Sequence, residues 1–401
     1  MKRSVRNLGA EELAGRRALV RVDYNVPLGA DGEVRDAARI EATVPTLRYL
    51  LKRRARPVLL SHLGRPHGTP DPRLSLASVR PVLEHRLGVP VHFEASTDSP
   101  RALERSRRLP EEEVLLLENT RFLNGETTDD DELAVRFARL GDLFVNDAFG
   151  SMHRAHASTV GITRHLRPAV AGLLVEAELR ALGTLMGRPD RPFVVALGGA
   201  KIADKIPLLD RFLDRADALL IGGAMANTFF LAQGLQTGRS LVEAGSVQVA
   251  KRILNRAGGK LSLPLDLVVV DDPDAERPVA ETVAPDRVPD TAMAVDIGER
   301  TRHAYGVEVR RARTLFWNGP MGWFEREAFA AGTRALAEAA VEATRTRGFT
   351  VIGGGDSARA IRQAGFAERV SFVSTGGGAS LEYLARGSLP GVEALDDATV
   401  E

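Results

Sequence analysis

The sequence predicts an α/β protein of two doubly wound domains, each a parallel sheet covered by helices, joined by one helix and separated by a ligand cleft. Three observations carry this. Short apolar runs alternate with amphipathic stretches along the chain, the pattern of strands connected by crossover helices. Nearly every run ends in a polar or glycine cluster, and ligands of open α/β sheets bind outside the carboxyl ends of the strands. The clusters before residue 170 are cationic, and those after it are glycine-rich.

In chain order, the first strand candidates are ALVRVDYN (18–25), PVLLSH (57–62), VLLLEN (114–119) and LFVNDA (143–148). Between the first two, Ile40, Val44, Leu47 and Leu51 recur at helical spacing. The stretch VAGLLVEAELRALGTLMG (170–187) reads as an amphipathic connecting helix that stops at Gly187. Later strand candidates are FVVALGG (193–199), ALLIGG (218–223), TLFWNG (314–319), FTVIGGG (349–355) and VSFVST (370–375). Ile206, Leu209, Leu213 and Ala216 mark another helix, and 326–347 reads as one long helix. With about five strands before residue 150 and about five after 190, the expected domains are 1–170 and 188–375, with 171–187 between them.

Composition narrows the function. The 401 residues are 44% hydrophobic and 27% charged, as in a soluble globular protein. There is no cysteine, which excludes disulfides, thiolate metal sites and cysteine nucleophiles. No apolar run approaches the ~18 residues of a membrane span, and MKRSVRNLGAEEL lacks the apolar core of a signal peptide. A cytoplasmic enzyme is expected. Residues 1–170 carry 27 basic and 23 acidic side chains, the remainder 27 and 30. Neither half is basic enough for a nucleic-acid partner. Small anionic molecules are the expected ligands.

The second half contains no G-x-x-x-x-G-K-[ST] and no G-x-G-x-x-G between a strand and a helix, so neither a P-loop nor a dinucleotide fingerprint is present. It has three other glycine segments. In GGAKIADKI (198–206), Lys201 and Lys205 are two of only six lysines, against 48 arginines. If that segment is helical they share a face and reach successive phosphates. In GGGDSARA (353–360), Gly354, Gly355, Asp356 and Ser357 fall at a helix start, where free N–H groups favour phosphate. Asp356 or Ser357 is expected to cap that helix, which is compatible with Asp356 also holding Mg²⁺, an ion that takes one or two carboxylates plus phosphate oxygens. In STGGGASLEYL (374–384), the amides of Gly376 and Gly377 can stabilise charge on a moving phosphoryl group. Three such loops in one domain point to a nucleotide triphosphate.

The first half supplies a cationic cup. Asp23, Asn25, His62, Arg65, Arg121 and Arg154 lie at or just past strand ends, with His153 and His156, and Arg39 opens a helix. In a chain with 48 arginines, most are surface residues. Position distinguishes these, and the planar arginine fork suits carboxylate and phosphate. Asp23 and Asn25 could hold a hydroxyl, and His62 and His153 could donate to anions. No third ligand makes the histidines a metal site.

The motifs RVDYNVP (21–27), SHLGRP (61–66), ENTRF (118–122), DAFGSMHRAHAS (147–158), GGAKIADKI, GGAMANTF (222–229), WNGPMGWFE (317–325), GGGDSA, STGGGASLEYL and LPGVEAL (389–395) occur in that order. Together they resemble phosphoglycerate kinase over essentially the whole chain. The resemblance implies a monomeric kinase with two Rossmann-like lobes. It would exchange a phosphoryl group between 1,3-bisphosphoglycerate and ADP, giving 3-phosphoglycerate and MgATP in glycolysis by hinge closure. It further implies that Asp23, Asn25, Arg39, His62, Arg65, Arg121 and Arg154 hold 3-phosphoglycerate. Lys201, Lys205, Glu325 and Gly354 to Ser357 would hold the nucleotide, with Glu325 on the ribose and Asp356 on Mg²⁺. Arg39 and Lys205 would meet the transferring group with the glycine amides of 376–378. The segment 376–401 would return to the first lobe. Departures are Tyr24 for the usual Phe, Ala38 for Thr, Trp323 for a smaller residue, and LARGSLPG without the usual Glu-Gly-Lys. A nicotinamide dehydrogenase would need the missing G-x-G-x-x-G. A catalytically silent descendant would have lost Arg39, Lys205 or Asp356, and all three are present.

Overall fold

Runs such as VLLL and FVVAL are apolar at every position, which suits strands buried on both faces. In the computed structural model, which describes residues 2–398, they form the centres of two parallel sheets. The chain divides into two units. One runs through Arg180 and regains the chain at Ser388, and the other is Ala181–Gly387.

In the first unit, β1 (Arg17–Arg21), β2 (Arg56–Leu60), β3 (Val91–Glu94), β4 (Val114–Leu117), β5 (Leu143–Asn146) and β6 (Ala169–Ala171) form a parallel sheet in the order β3-β4-β2-β1-β5-β6. The chain moves outward from β1 in one direction through β2 and in the other through β5. The point where the order reverses, at the carboxyl ends of β1 and β5, is where such sheets open a crevice. Helix Ala38–Lys52 buries Ile40, Val44, Leu47 and Leu50 against this core. Its Pro45 sits at an internal position of the helix.

In the second unit, β7 (Phe193–Leu197), β8 (Ala218–Ile221), β9 (Leu261–Ser262), β13 (Thr314–Asn318), β14 (Phe349–Gly353) and β15 (Phe372–Val373) are parallel in the order β15-β14-β13-β7-β8-β9. Here the order reverses between β7 and β13. A second sheet of β10 (Leu267–Val270), β11 (Ala280–Val283) and β12 (Met293–Ile297) is antiparallel, in the order β11-β10-β12.

Every strand named from the sequence is present, and most stop short of their polar clusters, although β13 includes Asn318 and β14 includes Gly353. VDYN after β1 and SH after β2 are loop, because backbone that must approach a ligand leaves the ladder. Two readings change. The stretch 326–347 is a 3₁₀ turn, Glu327–Phe329, followed by helix Ala331–Arg345. Residues 376–387 stay with the second unit, and the return to the first begins at Ser388. Helix Gly378–Arg386 packs on helix Ile206–Leu213, and Arg211 Nη1 donates to Ala385 O at 2.8 Å. At position 385 that bond uses only the backbone carbonyl, so it does not depend on the side chain there. Gly387 ends the helix in a left-handed conformation, which suits glycine.

The connecting stretch begins as β6 and becomes helix Leu173–Met186. The boundary between the units falls inside this helix. Past Ser388, Asp396 N donates to Ala169 O and Arg3 N to Asp396 O, both at 2.8 Å. Thr399, Val400 and Glu401 lie outside the described residues. Among the described residues no helix is long and apolar enough to cross a membrane.

Candidate functional site

The carboxyl ends of β1, β2 and β4 deliver a linked set of charges. Asp23, two residues past β1, receives Arg39 Nη1 at 2.8 Å from the first turn of the following helix. Its second oxygen accepts from Ser151 Oγ at 3.4 Å. His62 Nδ1 lies 4.0 Å from Asp23 and 3.1 Å from Arg21 Nη2. Arginine only donates, so Nδ1 is the acceptor and Nε2 carries the proton. Burial holds His62 well below its usual range, so it is neutral at pH 7 and offers that N–H. Burial would push the Asp23 carboxyl up, but Arg39, Arg21 and the Asn25 N–H act against it, and the carboxyl is held below the ordinary value.

Arg21 was not legible as a site residue. It is fully buried, and its Nε donates to Ser158 Oγ at 2.9 Å. Ser158 in turn donates to the buried Glu126 at 2.5 Å. A charged residue ending an otherwise apolar strand, RALVR, was the available signal. This Arg21–Ser158–Glu126 relay supports the cup from beneath. Tyr24 also finds a role, its hydroxyl lying 3.0 Å from Thr43 Oγ1 on the neighbouring helix.

Cations outnumber anions in this region. Arg121 donates through Nη1 to Gly64 O at 2.7 Å, while its buried Nε has no acceptor among the described residues. Burial first, then the charges of Arg21 and Arg154, bring Arg121 down to about 10, although Glu126 opposes this. Burial and the same arginines with Arg121 bring His156 down to about 3. Asn25 accepts from Gly64 N at 2.9 Å. Arg154 is exposed beside His153. Arg65 is exposed and makes no hydrogen bond or ion pair with another described residue. The structure therefore gathers Asp23, Arg39, His62 and Arg121 closely, with Asn25 and Arg154 at the margin and Arg65 at the rim.

The second unit has two adjoining cavities at its own switch point. One, of about 350 Å³, is lined by Lys201, Lys205, Gly354, Gly355, Asp356, Ser357, Gly377 and Gly378. The other, of about 400 Å³, is lined largely by apolar side chains, including Leu241, Leu267, Met293, Met321 and Trp323, with Glu325 and Asp356 at the edge. Gly199, Ala200, Pro320 and Asp356 belong to both. A polar chamber opening into an apolar one suits a ligand with a charged end and a flat apolar end. Gly198 has no alternative here, since a Cβ on it would stand 2.1 Å from Pro320 O.

Lys201 and Lys205 do not share a helix face. Lys201 lies in extended loop, Lys205 ends the 3₁₀ turn Ala203–Lys205, and the α-helix starts only at Ile206 with Pro207 in its first turn. Proline belongs at a helix start, so the α-helix begins after both lysines. The segment is instead pinned by Glu243, which accepts from Ile202 N at 2.9 Å and Ala203 N at 3.0 Å. Burial holds the Lys205 ammonium below its ordinary range, against the pull of Asp204 and Asp356.

Gly354 caps helix Gly355–Gln363 with φ +87°, and no side chain serves as the cap. Asp356 is thus not the capping residue. Ser357 Oγ accepts from Gly319 N at 2.5 Å, tying this helix to the loop after β13. Gly376 N donates to Ser374 Oγ at 3.2 Å, so its amide is engaged within its own loop. Gly377 and Gly378 line the cavity at the start of helix Gly378–Arg386. Among the described residues no three His, Asp or Glu side chains group as a metal site. The polar chamber offers the carboxylates of Asp204 and Asp356. So few donors fit a hard ion that keeps water and takes phosphate oxygens, as Mg²⁺ does.

Comparison with known proteins agrees in fold and family. A family model described as phosphoglycerate kinase matches residues 8–386. The chain is 49% identical over 407 residues to phosphoglycerate kinase of Chloroflexus aggregans, covering 99% of both. It is similar to the solved phosphoglycerate kinase structures from Coxiella burnetii (TM-score 0.85, 37% identity, 99% of both chains) and Pyrococcus horikoshii (TM-score 0.86, 31% identity, 98% of both).

Proposed function

This chain belongs to the phosphoglycerate kinase family, and from that premise we propose that it transfers a phosphoryl group between 1,3-bisphosphoglycerate and ADP, with the two units dividing the work. The first unit holds the phosphoglycerate through Arg39, His62, Arg65, Arg121 and Arg154, with Asp23 and Asn25 on its hydroxyl. The second holds the nucleotide, its base in the apolar cavity, its ribose on Glu325 and its phosphates against Lys201, Lys205 and the Gly354–Ser357 turn. Asp356 would hold Mg²⁺ together with phosphate oxygens, and the ion when bound neutralises and orients those phosphates.

The observation that carries this reading is the imbalance of charge in the first unit. Arg121 and His156 are both depressed, by burial first and then by neighbouring cations, and the buried Arg121 Nε lacks an acceptor among the described residues. A small polyanion supplies what is missing. In the reaction the acyl P–O bond breaks, a β-phosphate oxygen of ADP forms the new P–O bond, and carboxylate leaves. Neither nucleophile nor leaving group needs a proton moved at neutral pH. Accordingly the site is built for positioning and charge neutralisation rather than acid–base work. Arg39 neutralises the phosphoryl group held by the first unit, and Lys205, with the amides of Gly377 and Gly378, neutralises the phosphates held by the second. Gly376 contributes by shaping that loop. We further propose that the protein acts as a monomer, as the family resemblance implies.

A coupled assay with MgATP and 3-phosphoglycerate tests the proposal. Robust ADP formation is expected. No ADP formation at high enzyme concentration overturns it.

A further inference from the structure

Arg359 lies one helical turn past the start of helix Gly355–Gln363. Its Nη2 donates to Glu325 Oε1 at 2.6 Å and to Asp356 Oδ1 at 3.2 Å. Its guanidinium stands 4.9 Å over the ring of the buried Phe324. One cation therefore bridges two carboxylates, Glu325 from the loop after β13 and Asp356 from the first turn of its own helix, that edge the same cavity. Its bonds use only Nη2, which leaves the N–H groups of Nε and Nη1 for a further acceptor.

The electrostatics give this bridge a consequence. Asp204, Asp356 and Glu325 all border the two cavities, facing Lys201 and Lys205. Without another cation, three carboxylates would meet a ligand that itself carries two or three phosphate charges. Like charges a few ångströms apart repel, the more so the less solvent lies between them. Arg359, shared between Glu325 and Asp356, offsets one of those charges before the ligand arrives.

We propose that Arg359 is a nucleotide-positioning residue, which holds Glu325 and Asp356 in place and offsets part of their charge so that the nucleotide binds before its metal. This rests on the reading of the second unit as the nucleotide site. Arg359 acts through the two carboxylates, and its effect is therefore largest when no divalent ion is present to do the same neutralisation.

Calorimetric titration of the full-length protein with ADP, in EDTA and separately in excess Mg²⁺, tests this. Arg359→Ala is expected to weaken metal-free ADP binding about tenfold, while Mg·ADP binding changes by less than about threefold. Arg359→Lys, which keeps the charge but not the fork, should recover part of the metal-free affinity. Equal changes under both conditions, or no change under either, would overturn the inference. Should Arg359→Ala not fold, Arg359→Lys and Arg359→Gln provide the same comparison, with Gln expected to be the weaker binder in EDTA. Failure of the unsubstituted protein to bind ADP under both conditions would instead overturn the nucleotide-site reading itself.

Discussion

Arg39 Nη1 and Asp23 Oδ1 lie 2.8 Å apart, joining the first turn of a helix to the loop after the central strand of the first sheet. The carboxylate fixes a side chain that is still about one-third exposed, so the guanidinium is positioned while part of it remains available. Arg39→Ala should lower kcat by about 10²- to 10³-fold, with a much smaller change in KM for 3-phosphoglycerate. Steady-state kinetics check this. A variant with near-normal kcat would remove Arg39 from the transferring group.

Beneath that pair, the Arg21–Ser158–Glu126 relay is buried throughout. Arg21→Met leaves Glu126 buried without its cation and should cost about 3–5 kcal/mol. Adding Glu126→Gln should recover part of the loss. Chemical denaturation of the two single variants and the pair reads the coupling, and strict additivity would contradict the relay.

Asp147 gives a pH dependence of stability. Its buried carboxyl accepts from Leu174 N at 3.0 Å and Val175 N at 3.3 Å, at the start of the connecting helix. Burial pushes it up to about 7, despite Thr46 and these amides. An unfolded aspartate titrates near ~4. Between those values the folded chain binds a proton that the unfolded chain does not. The stability from this site is therefore complete below about pH 4 and is lost as pH rises through about 7. The loss is at most ~1.4 kcal/mol per pH unit. Asp147→Asn should flatten that slope, so its melting temperature relative to the unsubstituted protein rises between pH 5 and pH 8. An unchanged difference would show that Asp147 does not titrate there.

Trp323 replaces a smaller residue, and the structure places it on the apolar cavity wall. It is 38% exposed, with Arg326 4.7 Å over its ring and Phe329 at 6.3 Å. The other tryptophan, Trp317, is fully buried, its Nε1 donating to Gly319 O. A fluorescence change on adding nucleotide should arise chiefly from Trp323. Trp323→Val should abolish most of it and raise KM for nucleotide about two- to tenfold. A full signal in that variant would place the base elsewhere.

Much of this site was readable because its chemistry is local. Gly354, Gly355, Asp356 and Ser357 follow a strand and open a helix in consecutive sequence, and a few residues suffice to specify that turn. Lys205 stood out because lysine is scarce. Arg21 was hidden, because an arginine in a strand is recognisable as buried only once Ser158 and Glu126, more than a hundred residues away, are seen to meet it. Arg359 was hidden for a similar reason, since its partner Glu325 lies in a different loop. The α-helical reading of Lys201 and Lys205 failed because Glu243, from another segment, holds that stretch in a non-helical path.

Periodicity, strand-end clusters and motif order by themselves determined that this chain folds into two parallel α/β units with a cationic half and a glycine-rich half. They could do so because strand and helix patterns, turns and phosphate loops are written in neighbouring residues. Only the tertiary structure decided which charges are paired, which arginine nitrogen lacks an acceptor, which tautomer His62 adopts and where the apolar cavity meets the polar one. Those properties depend on burial and on distances between residues far apart in the chain, and the same side chain is a solvated surface group or a site residue according to what the fold sets against it.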